Sequence, residues 1–80
     1  MDDQEIVNRI NRLVDEEHEL EKTHVGRGLS PAETERLRSV EVQLDQCWDL
    51  LRQRRARREF GQNPDDAMVR DPDTVERYQQ

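Results

Sequence analysis

Apolar positions recur along this chain with helical spacing in two blocks. In the first, Ile6, Ile10, Leu13 and Leu20 step by four, three and seven, with Val7 and Val14 beside them. In the second, Leu37, Val40, Leu44, Cys47 and Leu51 alternate steps of three and four, and Trp48 and Leu50 widen the stripe on either side. Side chains so spaced share one helix face. The pattern predicts helix 1 over about 3–24 and helix 2 over about 31–60, joined by a turn over 25–29.

The helix ends carry their own signals. Asp2 and Glu5 have the spacing of a cap, and their negative charge suits the positive end of a helix dipole. Ser30 and Glu33 form a capping-box pair, with Pro31 at the first helical position. Gly61 suits a helix stop and Pro64 forbids continuation. Val25-Gly26-Arg27-Gly28 permits a sharp reversal between the two helices. A connection this short makes an antiparallel hairpin the default. The stripes set Leu20 against Leu37, Leu13 against Leu44, Ile10 against Cys47 and Ile6 against Leu51. That register brings Asp2, Asp3 and Glu5 beside Arg54, Arg55 and Arg58, so charge and hydrophobic pattern agree.

The fold class expected is all-α: a hairpin over 1–61 followed by a flexible or loosely docked acidic tail over 62–80. The tail holds two prolines and several aspartates, with Asp71 and Pro72 able to start one short helical turn. Phe60, Met68, Val69 and Tyr78 are the residues available to fold it back. No run alternates as a strand does.

Composition then bears on assembly. Of 80 residues, 31% are hydrophobic and 40% charged, too few apolar side chains for a self-sufficient core. A homodimer forming a four-helix bundle supplies the missing burial. Val7, Val14, Trp48 and Leu50 flank the main seam and are assigned to that protein interface. No apolar run is long enough for a membrane span or a secretory signal, so the protein is expected to be cytoplasmic. Cys47, the single cysteine, sits on the apolar stripe as a small hydrophobe.

The run Leu44-Asp45-Gln46-Cys47-Trp48-Asp49-Leu50-Leu51-Arg52-Gln53-Arg54-Arg55-Ala56-Arg57-Arg58-Glu59-Phe60-Gly61, preceded by Leu13-Val14-Asp15-Glu16-Glu17-His18, resembles a family of short actinobacterial proteins catalogued only as a domain of unknown function. The resemblance covers nearly the whole chain. It implies a small cytoplasmic bacterial protein and supplies no catalytic or binding residues.

Three groups of residues bear on chemistry. Arg52, Arg54, Arg55, Arg57 and Arg58 carry five positive charges in a chain of net charge −6. They could contact phosphates of a nucleotide or nucleic acid. At 100° per residue they point around most of the helix, however, and they suit its negative end. Glu21-x-x-His24, with Glu17 one turn earlier, has the spacing of a di-iron helix, yet it stands at a fraying end without a second copy on helix 2. Glu17 occupies a seam position and is expected to pair across the hairpin with Arg36 or Arg38. No catalytic set, metal site or cofactor motif is assigned. The function expected is that of a non-enzymatic helical interaction protein, self-associating and binding a protein partner through the apolar flank of helix 2. The alternative is a phosphate or nucleic-acid binder using the arginine run.

Overall fold

A computed structural model describes residues 2–23 and 28–77. Helix α1 runs Asp3–Thr23 and helix α2 runs Pro31–Glu59. The expected hairpin is present, about 51 Å long, and no strand occurs among the described residues. Most of the reversal, residues 24–27, lies outside the described part.

Side chains close the helix ends as the sequence dictates. Glu5 N donates to Asp2 Oδ1 at 2.8 Å at the start of α1. At the start of α2, Glu33 N donates to Ser30 Oγ at 3.2 Å and Ser30 N donates to Glu33 Oε1 at 3.0 Å. This completes the capping box. At the far end Gly61 takes φ +70°, which lets Gln62 N reach Arg57 O at 2.7 Å and Gly61 N reach Arg58 O at 3.2 Å. Those two bonds form the glycine-closed helix end called a Schellman motif.

Burial of one stripe from each helix holds the pair together. Ile6, Ile10 and Leu13 of α1 pack with Val40, Leu44, Cys47 and Leu50 of α2, and Ile6 and Val40 are fully buried. Leu20 and Leu51 pack partly against this cluster. Each fully buried aliphatic side chain contributes about 1.5–3 kcal/mol.

After Gly61 the chain turns back along α2 as a strap. A 3-10 turn at Pro64–Asp66 is capped by Asn63, whose Oδ1 accepts from Asp65 N at 3.0 Å. A short helix α3, Pro72–Arg77, is capped by Asp71, whose Oδ1 accepts from Thr74 N at 2.8 Å. Between them α2 offers side-chain amides to strap carbonyls. Gln53 Nε2 donates to Met68 O at 2.8 Å, and Gln46 Nε2 donates to Arg70 O at 3.1 Å. Val75 is buried, and Ala67 packs against the main cluster. The tail, expected to be flexible or loosely docked, is thus held by specific bonds over its described length. Phe60, Met68 and Val69, the residues the sequence made available to fold it back, stay exposed. Backbone carbonyls, the side chains of Ala67 and Val75, and the charged groups of Asp65 and Arg70 do it instead. Tyr78 lies outside the described residues.

Candidate functional site

Arg54 is where α1, α2 and the strap meet. Its Nε donates to Asp3 Oδ1 at 2.5 Å, and its Nη1 donates to Pro64 O at 3.2 Å and to Asp65 Oδ1 at 3.0 Å. The side chain is only 8% exposed. A planar guanidinium suits this place because its fixed fork can satisfy three acceptors in different directions. Arg58 donates to the other oxygen of Asp3. One carboxylate at the start of α1 therefore anchors two arginines at the end of α2, and each sits at the helix end that favours its charge.

These bonds set the direction of the local pKa shifts. Hydrogen bonds from Arg54, then from Arg58, hold the Asp3 carboxyl below its ordinary value near 3.8. A carboxyl whose pKa is lower in the folded state contributes stability above its unfolded value and loses it as pH falls through the folded one. The melting temperature is therefore expected to drop as pH falls below about 4, and Asp3→Asn is expected to flatten that part of the profile. Thermal melts by circular dichroism between pH 7 and pH 2.5 measure it. An acid slope unchanged by the substitution would contradict the assignment. Glu16, also held low by a hydrogen bond from Arg36, adds to the same slope.

The arginine run consequently divides. Arg54 and Arg58 are committed to acids, and Arg57 Nη1 reaches Gln62 Oε1 at 3.5 Å. Arg52 and Arg55 are exposed and form no ion pair among the described residues. Across the hairpin Arg36 meets Glu16 rather than Glu17, with Nη2 donating to Glu16 Oε2 at 2.7 Å. Glu17 is half-buried. The seam position had drawn attention to Glu17, but it is Glu16, one residue earlier, that lies on the edge facing Arg36. His24 lies outside the described residues. Among the described residues no cluster of His, Cys, Asp or Glu is arranged to hold a metal ion.

A buried acid, Asp49, was not singled out by its sequence position. It is 4% exposed, accepts from Gln53 Nε2 at 2.9 Å and lies 3.4 Å from Arg70 Nε. Its face of α2 points away from α1 and is covered by the strap. The signal that could have found it is a second three-four spacing, Gln46, Asp49, Gln53, running parallel to the apolar stripe.

The strap also decides the fate of the four residues assigned to a protein interface. Leu50 is buried within the chain at 6% exposure, so it is not available to a second protein. The reason is angular: Leu50 and Trp48 lie about 200° apart on α2, and the strap covers the Leu50 side. Trp48 is 49% exposed, Val7 37%, and Val14 half-buried at the edge of the core. Arg9 and Gln43 meet on the strap side, where Arg9 Nη2 donates to Gln43 Oε1 at 3.1 Å. Val7 is two residues before Arg9, and Trp48 two after Gln46, which also bonds the strap. Two residues turn a helix by about 200°, so both point to the opposite flank. The hairpin thus has one flank covered by its own tail and one bearing an open apolar patch.

Concave space is limited. A cavity of about 140 Å³ lies beneath Val69 against Ile6, Cys47 and Leu50. Small-molecule sites typically hold roughly 300–1,000 Å³. Burial pushes the Cys47 thiol up, with Arg9 pulling partly the other way, so the thiol stays protonated and poorly nucleophilic. A wider, open depression of about 370 Å³ separates Arg38 and Gln46 from Pro72 and Asp73. Among the described residues no helix is long and apolar enough to cross a membrane.

Mycobacterial proteins are among the relatives of this chain. Proteins of Mycobacterium bovis and of two strains of Mycobacterium tuberculosis, each named only as an uncharacterized protein, are 48% identical to it over 77 residues, covering 95% of this chain and 88% of theirs. No solved structure matches the chain. The family model of DUF2630, described as a protein of unknown function, matches residues 2–80. This chain, a strapped helical hairpin, belongs to that family.

Proposed function

We propose that this protein is a non-enzymatic helical interaction module that docks a protein partner through the flank bearing Val7, Val14 and Trp48. The observation that carries the reading is the half-exposed Trp48 on the one flank that the strap leaves open. Tryptophan is among the residues that most often dominate binding energy at protein interfaces, because a large rigid ring buries much area at low entropic cost. The strap supports the same reading by elimination, since it already occupies the other flank. Contact of the arginine run with phosphate or nucleic acid has less support. Its most buried member, Arg54, is enclosed by Asp3, Asp65 and Pro64, and Arg58 is paired with Asp3.

Site-specific photo-cross-linking in living cells tests the reading. A photoreactive residue in place of Trp48 is expected to give discrete protein adducts. The same residue in place of Asp66, which is exposed on the strap, is expected to give none. Equal cross-linking from both positions, or none from either, would overturn the assignment of the flank.

A further inference from the structure

We propose that the face of α2 beneath the strap is a groove for an extended segment of another protein, with the strap as its resident stand-in. The segment it fits carries a carboxylate, a leucine or isoleucine four residues later, and an arginine directly after that. The groove lies on the flank opposite Trp48 and owes nothing to that docking surface. Gln53 Nε2 donates to Met68 O at 2.8 Å, and Gln46 Nε2 donates to Arg70 O at 3.1 Å. The strap enters this stretch extended at Ala67 (φ −67°, ψ 138°), and residues 67–71 form no helix. Positions two apart on an extended chain face the same way, and residues seven apart on a helix share a face. Two amide arms on one side of α2 therefore hold main chain, which any sequence supplies. Asp49, buried at 4% exposure, steadies the Gln53 arm by accepting from the same Nε2 at 2.9 Å.

Side chains set what else the groove selects. Arg54 Nη1 donates to Asp65 Oδ1 at 3.0 Å, so the position of Asp65 calls for a carboxylate. Asp49 Oδ2 lies 3.4 Å from Arg70 Nε, so the position of Arg70 calls for a guanidinium. Between them Val69 stands over the cavity of about 140 Å³ formed against Ile6, Cys47 and Leu50. Val69 is 57% exposed and does not fill it. The polar side chains at its edge already have partners, since Arg9 donates to Gln43 and Gln46 donates to Arg70 O. The space left over is apolar, and it calls for an aliphatic side chain larger than valine.

The same misfit names the kind of occupant. The strap of a second copy carries Val69 too, so it leaves the same space empty and lacks the advantage of a tether. A short tether gives the resident an effective concentration on the order of 1 mM. A foreign segment displaces it only by making contacts the resident lacks, and the cavity is where such contacts are open. Each further methylene buried there raises affinity about fourfold. The resident is held in a way that opens locally: Asp65, Met68 and Val69 are exposed, and its apolar burial rests on Val75 and part of Ala67. The tail thus keeps the groove closed to segments that fit no better than itself.

Fluorescence anisotropy of a labelled peptide of residues 62–77, titrated with the full-length chain, tests the groove. Asp65→Ala with Val75→Ala in the chain loosens the strap from its own side and leaves every donor on α2 in place. The peptide is expected to bind this loosened chain at least tenfold more tightly than the wild type, whose groove is occupied. Adding Gln46→Ala and Gln53→Ala is expected to remove most of that binding. Val69→Leu in the peptide is expected to tighten it about fourfold. Amide exchange at Val40 and Leu44 reads whether the loosened chain keeps its hairpin. A second arm needs no loosened chain: Val69→Leu in the full-length protein is expected to slow exchange of the Ala67 and Val75 amides about fourfold. No binding to a folded loosened chain at 1 mM, or equal binding to it and to the wild type, would overturn the groove. A Val69→Leu peptide that binds no tighter, or strap amides unmoved by Val69→Leu in the full-length protein, would overturn the cavity as its pocket.

Discussion

Replacing Arg54 with alanine is expected to cost about 2–4 kcal/mol of stability and to release the strap from α2. The substitution removes three hydrogen bonds from a charged donor, each worth about 1.5–3 kcal/mol when measured singly. They act as one unit and do not add. Asp3 and Asp65 are 43% and 75% exposed, so both carboxylates return to water instead of being stranded. The loss is therefore smaller than for a buried acid left alone, but it includes the packing of the arginine stem. A chain of this size has roughly 4–12 kcal/mol in total. Urea denaturation measures the global cost. Amide hydrogen exchange separates the local part, because Ala67 N bonds Pro64 O and Val75 N bonds Asp71 O in the strap. Both amides are expected to lose protection in Arg54→Ala while those of Val40 and Leu44 keep theirs relative to global unfolding. Arg54→Lys is expected to recover less than half of the loss, since an ammonium cannot reach all three acceptors with fixed geometry. Undiminished strap protection in Arg54→Ala would remove the residue from its place at the junction.

The importance of Arg54 was legible in the sequence, though not in the feature that drew attention. Five arginines in seven residues look alike as a charge cluster. Extending the apolar stripe by its own rule distinguishes them: Val40, Leu44, Cys47, Leu51, Arg54 and Arg58 continue the alternating steps of three and four. The two arginines on that line are the two that pair with Asp3. The hairpin and its caps were readable for the same reason, since each depends on residues close in sequence or on one repeated interval.

The strap was not readable in that way. Besides the Asp65–Arg54 and Arg70–Asp49 pairs it is held by carbonyls of Pro64, Met68 and Arg70, and a carbonyl has no sequence signature because every residue carries one. The donors on α2, Gln46 and Gln53, look in sequence like ordinary solvent-facing polar residues. The same blind spot explains Leu50 and Trp48. Hydrophobic spacing places them on opposite sides of the seam, but only the path of the strap decides which side is buried.

Ile6 and Val7 are adjacent, and their substitutions are expected to separate folding from docking. Ile6→Ala is expected to cost about 3–5 kcal/mol, near the top of the range for truncating an aliphatic core residue. Ile6 is fully buried, and it already borders the cavity of about 140 Å³ beneath Val69. Deleting its side chain enlarges that cavity instead of letting neighbours close on a new one, and the cost of such truncations rises with the volume left empty. Ile6→Val, which removes one methylene, is expected to cost about 0.5–1.5 kcal/mol. Val7, one residue on, is 37% exposed on the open flank, and Val7→Ser is expected to change monomer stability by less than about 0.5 kcal/mol. Its effect is expected in the yield of protein adducts from the photoreactive residue at position 48, because the side chain lost belongs to the flank proposed to dock a partner. Urea melts together with that cross-linking distinguish the two. Ile6→Ala shifts the urea midpoint, whereas Val7→Ser leaves it in place and lowers the yield of adducts. An equal midpoint shift from both would place Val7 in the core and leave the open flank to Trp48 alone.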